Sequence, residues 1–238
     1  MAELPDPTIF QNHIIREHVA GLSFVDIGGL WGTVNEKVTL ALAAGARSAT
    51  MADMQTPGNE WWAKFEQRAK DLGYTNYDSK HVNLDDPQIQ GTLGRFDFVH
   101  CSGIIYHVPS PVYTLDRLAS VTTKYLLLGS MVVPEKVENQ FGSLDFTGGR
   151  TVFIPGMDDQ VRAIMAEHFT QSGIEIMHFN RAYSEPFRLP DGSANYGPWW
   201  WLWSPSMMIK MLEACNFRVI ADHPEWGGRS HYFFCERV

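Results

Sequence analysis

Four segments carry side chains whose type and spacing point to chemistry. In Asp26-Ile27-Gly28-Gly29-Leu30-Trp31-Gly32, an acid and three glycines stand where an apolar run gives way to a helical pattern. Glycine in such a bend lets backbone N–H groups approach a ligand and adopt positive φ. The spacing is not Gly-x-Gly-x-x-Gly, and a carboxylate two positions before the first glycine would repel a pyrophosphate while suiting an ammonium. Asp53, in Met51-Ala52-Asp53-Met54, ends a second apolar run. A carboxylate there can accept from both hydroxyls of a ribose, or it can cap the helix that follows. Asn83-Leu84-Asp85-Asp86 follows a third run, where a polar side chain can meet an adenine amino group; Asp-Asp-Pro is equally an ordinary turn and helix start. The fourth segment, His100-Cys101-Ser102-Gly103-Ile104-Ile105-Tyr106-His107, offers His107, a residue type whose unperturbed pKa lies near operating pH and which can take a proton from a hydroxyl or amine. As a plain loop histidine it would instead bond the backbone and shape a pocket.

A fifth stretch, Pro198-Trp199-Trp200-Trp201-Leu202-Trp203, concentrates aromatic surface. Such rings line apolar pockets and stabilise a sulfonium by cation–π contact; they also fill cores or form the seam of a homodimer. Trp199 and Trp203 are the lining candidates, with Tyr106, Tyr183 and Arg188 as side chains able to orient a polar acceptor. Glu185 is a further candidate beside Tyr183 and Arg188, upstream of the tryptophans; an exposed loop is the alternative for all three.

These segments resemble the class I S-adenosylmethionine-dependent methyltransferases. The family's acid-x-Gly-x-Gly-x-Gly motif is matched by Asp26, Gly28 and Gly32, with Leu30 in place of the middle glycine. Phe96-Asp97-Phe98-Val99 and Tyr106-His107-Val108-Pro109-Ser110-Pro111 resemble its "FDxV" strand and "YHxxxP" loop. The Trp203-Ser204-Pro205-Ser206 turn and the strand from Phe217 are similar to the tRNA wobble-uridine carboxymethyltransferase branch. The resemblance spans residues 22 to 133 and 203 to 237. It implies S-adenosyl-L-methionine as cofactor and S-adenosyl-L-homocysteine as product. Asp26, Gly28, Gly29, Gly32, Asp53, Met54, Leu84 and Asp85 would hold it, with Cys101, Ser102 and Gly103 beside its methionine portion. The methyl group would pass to an O, N or S atom of a small, aromatic or amphipathic acceptor. A tRNA-modifying enzyme and a non-catalytic cofactor-binding regulator are the two competing readings.

The elements that must position these residues alternate. Leu22 to Ile27, Ser48 to Met54, Lys80 to Leu84, Phe96 to Cys101 and Tyr125 to Val133 read as strands. Helices are expected from Val34 to Ala44, around Trp62 to Leu72 with Gly73 as its stop, and after Ser110-Pro111. This rhythm implies parallel βαβ units. Residues 134 to 203 break it, with one helix at Asp159 to Thr170, and are expected to form an inserted lid over the site. A helix from Ser204-Pro205, closed by Asn216, then leads to strands at Phe217 to Ala221 and His231 to Cys235. The expected fold is α/β: a single Rossmann-like domain, its seven-stranded, mostly parallel sheet carrying helices on both faces and ending in an antiparallel C-terminal hairpin.

Composition narrows the partners. A formal net charge of −8 without clustered Lys and Arg argues against nucleic acid. No apolar stretch reaches membrane-spanning length, and the first residues lack a signal-peptide pattern. Three widely spaced cysteines, Cys101, Cys215 and Cys235, suggest neither a disulfide framework nor a zinc site, and no histidine or acid spacing suggests another metal. A cytoplasmic setting is the expectation.

Overall fold

The computed structural model describes residues 3–31, 36–173, 175–179 and 185–238. Gly32, Val34 and Tyr183 lie outside the described residues. In chain order the elements are α1 (Phe10–His18), β1 (Ser23–Ile27), α2 (Val38–Ala43), β2 (Ser48–Asp53), α3 (Glu60–Asp71), β3 (Asp78–His81), α4 (Ile89–Leu93), β4 (Phe96–Ser102), α5 (Pro111–Val121) and β5 (Thr122–Met131). The excursion follows with β6 (Lys136–Asn139), β7 (Gly142–Asp145), β8 (Thr151–Phe153), α6 (Asp159–Thr170) and β9 (Trp201–Trp203). The chain ends with α7 (Pro205–Ala214), β10 (Phe217–Glu225) and β11 (Ser230–Arg237).

Seven strands form one sheet in the order β10-β11-β5-β4-β1-β2-β3. β11 runs antiparallel to both its neighbours, and the other six share one direction. From β1 the chain steps outward through β2 to β3, then returns to β4 on the other side of β1. Such a reversal opens a crevice at the carboxyl ends of the strands, where ligands of open α/β sheets bind.

Alternation along the strands builds two cores. On one face Phe24, Met51, Phe98 and Leu127 pack with Ile15 of α1, Leu40 of α2 and Phe65 of α3. On the other, Val25, Val99, Leu128 and Phe233 pack with Leu93 of α4, Leu115 of α5 and Met208 of α7. Residues 134–203 assemble a third core, in which Met131 and Val133 meet Val152, Phe169, Trp199 and Leu202.

Several sequence boundaries shift for identifiable reasons. β3 lies two to three residues earlier than the apolar pattern suggests, because Val82 and Leu84 belong to the turn that dives into the core, while the strand is set by pairing with β2. β5 starts at Thr122 and ends at Met131; Val132 and Val133 leave the sheet as their N–H groups bond Arg229 and Trp203 carbonyls. α2 begins at Val38, and its expected start, Val34, lies outside the described residues. Ser110 precedes α5 as expected but makes no capping hydrogen bond, whereas Ser204 Oγ accepts from Met207 N of α7 at 3.4 Å. Asn216, at φ 61°, closes α7. The excursion holds more structure than its composition suggests: a β6–β7 hairpin, and an antiparallel β8–β9 pair that turns the last three residues of the tryptophan run into a strand. α1 has no counterpart in the sequence reading. No helix among the described residues is long and apolar enough to cross a membrane.

Candidate active site

The bend after β1 is shaped from two sides. Gly28 has φ +81°, a left-handed conformation that favours glycine, and its N–H bonds Ala52 O at 2.8 Å. A Cβ there would come 2.5 Å from Ile104 Cδ1, so the β4 loop closes directly over this backbone. A Cβ on Gly29 would overlap the Asp26 carboxylate. That carboxylate is almost wholly buried. Its Oδ1 meets His100 Nδ1 at 2.7 Å and its Oδ2 accepts from Lys37 N at 2.8 Å. The sheet explains the pairing: Asp26 and His100 are register partners on β1 and β4 and face the same side.

Asp53, at the end of β2, is 6% exposed. Its Oδ2 accepts from Leu30 N at 3.3 Å and its Oδ1 from Gln55 N at 2.9 Å, so it ties the glycine bend to the next strand end. Burial raises its pKa, opposed by these N–H donors, while the Asp26 charge adds to the rise. Met54 beside it is half exposed. Leu84 is buried. Both Asp85 oxygens are engaged, Oδ1 by Thr114 Oγ1 at 2.5 Å and Oδ2 by the Tyr196 hydroxyl at 2.9 Å. This acid therefore fastens the β3 turn to α5 and to residues of the excursion.

At the end of β4, Cys101 turns its side chain into the core, where burial pushes the thiol pKa well up, so only its backbone faces the crevice. Ser102 Oγ and the Tyr232 hydroxyl are hydrogen-bonded at 2.9 Å, in space that Gly129 leaves by having no side chain. Gly103 N bonds Gly129 O. Ile105–His107 then form a short 3-10 turn.

His107 lies where this edge meets the excursion. Its Nδ1 is 3.2 Å from Pro198 O; a carbonyl can only accept, so Nδ1 carries the proton and the neutral ring presents Nε2 as a base. Burial lowers its pKa to about 4, opposed by the bond to Pro198. Neighbouring links hold the loop: Trp200 N bonds Tyr106 O at 2.8 Å and Trp201 Nε1 bonds Pro109 O at 3.1 Å. Tyr106 and Trp199 rings stand 4.9 Å apart, edge to face, and Tyr106 lies 4.5 Å from the His107 ring.

The tryptophan run divides. Trp199 packs in the core of the excursion against Phe169, Phe179 and His178. Trp203, 1% exposed, belongs to the core beneath the sheet, which corrects the expectation that it lines an acceptor pocket. None of the four tryptophans of the run offers the exposed surface that a dimer seam would use. Arg188 is exposed, with its guanidinium 5.5 Å from the Trp200 ring centre on the outside of the excursion. A cavity of about 390 Å³ opens between β7, β8 and the start of α6, lined by Leu144, Phe146, Val152, Phe153 and Met157 among others. Phe153 meets the Trp201 ring at 4.6 Å, tilted by 39°, and Trp201 in turn bonds Pro109 O; no residue of the loop that carries His107 lines the cavity.

The sequence reading brings Asp26, Gly28, Gly29, Asp53, Met54, Leu84, Ser102 and Gly103 to one edge, as the shared strand direction requires. It misses Lys37, His100, Tyr196 and Tyr232. His100 was within reach, because parallel pairing of two strands that both end at the crevice sets it opposite Asp26. Tyr232 and Tyr196 come from 130 and 111 residues away in sequence from their partners Ser102 and Asp85, and no local signal announces them.

No family model matches the chain, and no curated protein matches it by sequence. Solved structures do. A 1,6-didemethyltoxoflavin-N1-methyltransferase from Burkholderia thailandensis, with 1,6-didemethyltoxoflavin and S-adenosylhomocysteine bound, superposes with TM-score 0.56 at 13% identity, over 95% of this chain and 76% of that one. The N-terminal domain of EvdMO1 with S-adenosylhomocysteine bound gives 0.55 at 18% identity, over 98% and 81%. Magnesium protoporphyrin IX methyltransferase from Synechocystis PCC 6803, also with S-adenosylhomocysteine, gives 0.53 at 15%, over 96% and 84%. At these identities the likeness is one of fold: the chain shares its architecture with methyltransferases crystallised with S-adenosylhomocysteine.

Proposed function

We propose that the protein is an S-adenosylmethionine-dependent methyltransferase acting on a small molecule. One observation carries the reading. Asp26 and Asp53 stand at neighbouring strand ends, Asp26 on β1 beside the sheet's reversal between β1 and β4, bracketing a bend whose two described glycines have no room for side chains. The residues fit the cofactor. Ile104 and the Asp26 carboxylate stand where side chains of Gly28 and Gly29 would be, so the bend keeps a bare backbone, and Asp53 keeps lone pairs for the two ribose hydroxyls beyond the N–H groups it already accepts. Met54 and Leu84 flank the place for an adenine. Asp85, engaged by Thr114 and Tyr196, shapes that place instead of reaching into it.

When bound, S-adenosylmethionine supplies an electrophilic methyl group on a positively charged sulfur. The chain must then align a nucleophile, keep water out and accept a proton. Alignment along the S–CH₃ axis is the larger contribution. Residues 134–203 serve as the lid, held on the site by the Tyr106–Trp200, Pro109–Trp201 and Asp85–Tyr196 hydrogen bonds. His107, with its pKa near 4, is neutral at physiological pH, so Nε2 can accept a hydrogen bond from a hydroxyl, amine or thiol acceptor and orient it; burial makes it a weak base, and orientation is its larger part. The Tyr106 and Trp199 rings beside His107 favour an aromatic or amphipathic acceptor.

Incubation with methyl-labelled S-adenosylmethionine and a metabolite extract tests the reading. Label in a small molecule supports it. Label in total tRNA, added to a parallel reaction, would transfer the acceptor to RNA. Tight cofactor binding with no label transferred to either would mark a regulator, and absence of cofactor binding would remove the reading altogether.

A further inference from the structure

Behind the glycine bend, on the side covered by α1, lies a buried polar group that the methyl-transfer chemistry does not use. Lys37 is 3% exposed, yet its ammonium has a single hydrogen-bond partner among the described residues, Asn12 Oδ1 at 2.8 Å. The Asn12 amide is fixed in that orientation, because its Nδ2 donates to Asp6 O at 2.7 Å. Burial lowers the Lys37 pKa, opposed by the charges of Asp26, Glu36 and Glu225, and no described carboxylate comes within ion-pair distance of the ammonium. A buried cation in this state is costly unless something pairs with it. Nearby, His100 is 4% exposed. Its Nδ1 donates to Asp26, and its Nε2 is buried with no partner.

Both loose ends belong to residues bound to the same Asp26 carboxylate, Lys37 through its backbone N–H and His100 through its ring. Asp26 itself lies against Gly29. A cation with spare donors and an imidazole nitrogen with a spare lone pair are thus both carried by residues anchored on the one buried carboxylate that lies against Gly29 of the bend. A group with a negative and a positive end would satisfy both.

We propose that Lys37 and His100 read the zwitterionic amino-acid head of the cofactor. Lys37 Nζ, steadied by Asn12, pairs with the α-carboxylate. His100 Nε2, made more basic by Asp26 behind it, accepts from the α-ammonium. The inference rests on the cofactor reading above and extends it to two residues outside the glycine motif. It also makes Lys37 a residue that costs the empty protein stability and repays it only on binding.

The test compares S-adenosylhomocysteine with 5′-methylthioadenosine, which keeps the purine, ribose and thioether but lacks the head. Calorimetric titration of the full chain should show Lys37→Met losing about 10- to 100-fold in affinity for S-adenosylhomocysteine, the worth of a charged hydrogen bond. His100→Phe should lose about tenfold on the same scale. Neither should change 5′-methylthioadenosine affinity by more than about twofold, and Lys37→Arg should recover much of the loss. The melting temperature of ligand-free Lys37→Met should equal or exceed that of the wild type. Should that variant fail to fold, the decarboxylated analogue of S-adenosylhomocysteine on the wild type reads the carboxylate's share: it is expected to bind about 10- to 100-fold more weakly than S-adenosylhomocysteine while keeping about tenfold over 5′-methylthioadenosine, and affinity equal to that of S-adenosylhomocysteine overturns the proposal. Equal losses for both ligands, or no loss for either, overturn the proposal while leaving the cofactor reading intact. A wild type that binds neither ligand overturns both.

Discussion

At the carboxyl edge of β1, β2 and β4, polar side chains are fixed by the backbone around them. Asp53 is held by two main-chain N–H groups, and Asp26 by one N–H and one register partner. In residues 134–203 rings do the corresponding work. Trp199 is set by Phe169, Phe179, His178 and Tyr106, and little main-chain pairing beyond two short two-stranded sheets supports them. The edge suits a ligand that is always the same, since its donors and acceptors are placed by sheet geometry. The excursion suits one that differs between proteins of this fold, since packed rings can be exchanged without disturbing the sheet.

The sharpest way to separate the two regions is at their junction. Replacing His107 with Phe keeps the aromatic packing and removes the Nε2 acceptor. The turnover number should fall about 10²- to 10⁴-fold while S-adenosylhomocysteine affinity, read by calorimetry, stays unchanged. Loss of cofactor affinity in this variant would mean that the edge and the excursion are not separable. Next in size, Asp53→Ala should weaken S-adenosylhomocysteine binding about 10- to 100-fold, with the excursion's tryptophan fluorescence unaltered.

Acid offers a third separation. His107, His168 and His178, all in or against the excursion, have pKa values lowered by burial from 6.5 to about 4. As pH falls, the unfolded chain takes up these protons before the folded one. The stability that goes with the neutral rings is therefore whole above pH 6.5 and is lost progressively toward pH 4. Tryptophan fluorescence should report loosening of the excursion in this window before far-ultraviolet circular dichroism reports loss of the sheet; simultaneous loss would show one cooperative unit. Across the same window the rate should hold until His107 itself protonates. The smallest effect is expected at the tether: Asp85→Asn should cost about 1 kcal/mol in denaturant unfolding, through weaker bonds to Thr114 and Tyr196.

The edge was legible in the sequence because its signals are local. Glycines, strand-end acids and apolar runs lie within a few residues of one another, and a parallel sheet carries every strand end to the same side. Position His100 was legible in principle, through strand alternation. The excursion was not. Trp203 reads as a pocket residue beside three other tryptophans, yet the β8–β9 pairing sends it into the main core. Asp85 reads as an adenine contact, yet a tyrosine 111 residues on claims it. Lys37 reads as an ordinary residue at the start of a helix, and only the closure of α1 over it makes it a buried, underpaired cation. In each case the missing information is which distant element arrives, and that is set by packing, not by local pattern.

The central claim is that the carboxyl edge binds a nucleoside carrying a positively charged sulfur. Calorimetric titration of the wild-type chain with S-adenosylmethionine, S-adenosylhomocysteine, a nicotinamide dinucleotide and a nucleoside triphosphate tests it most directly. The account predicts saturable heat with the first two and none with the others; binding of a phosphate-bearing nucleotide, with no heat from either sulfur compound, would contradict it.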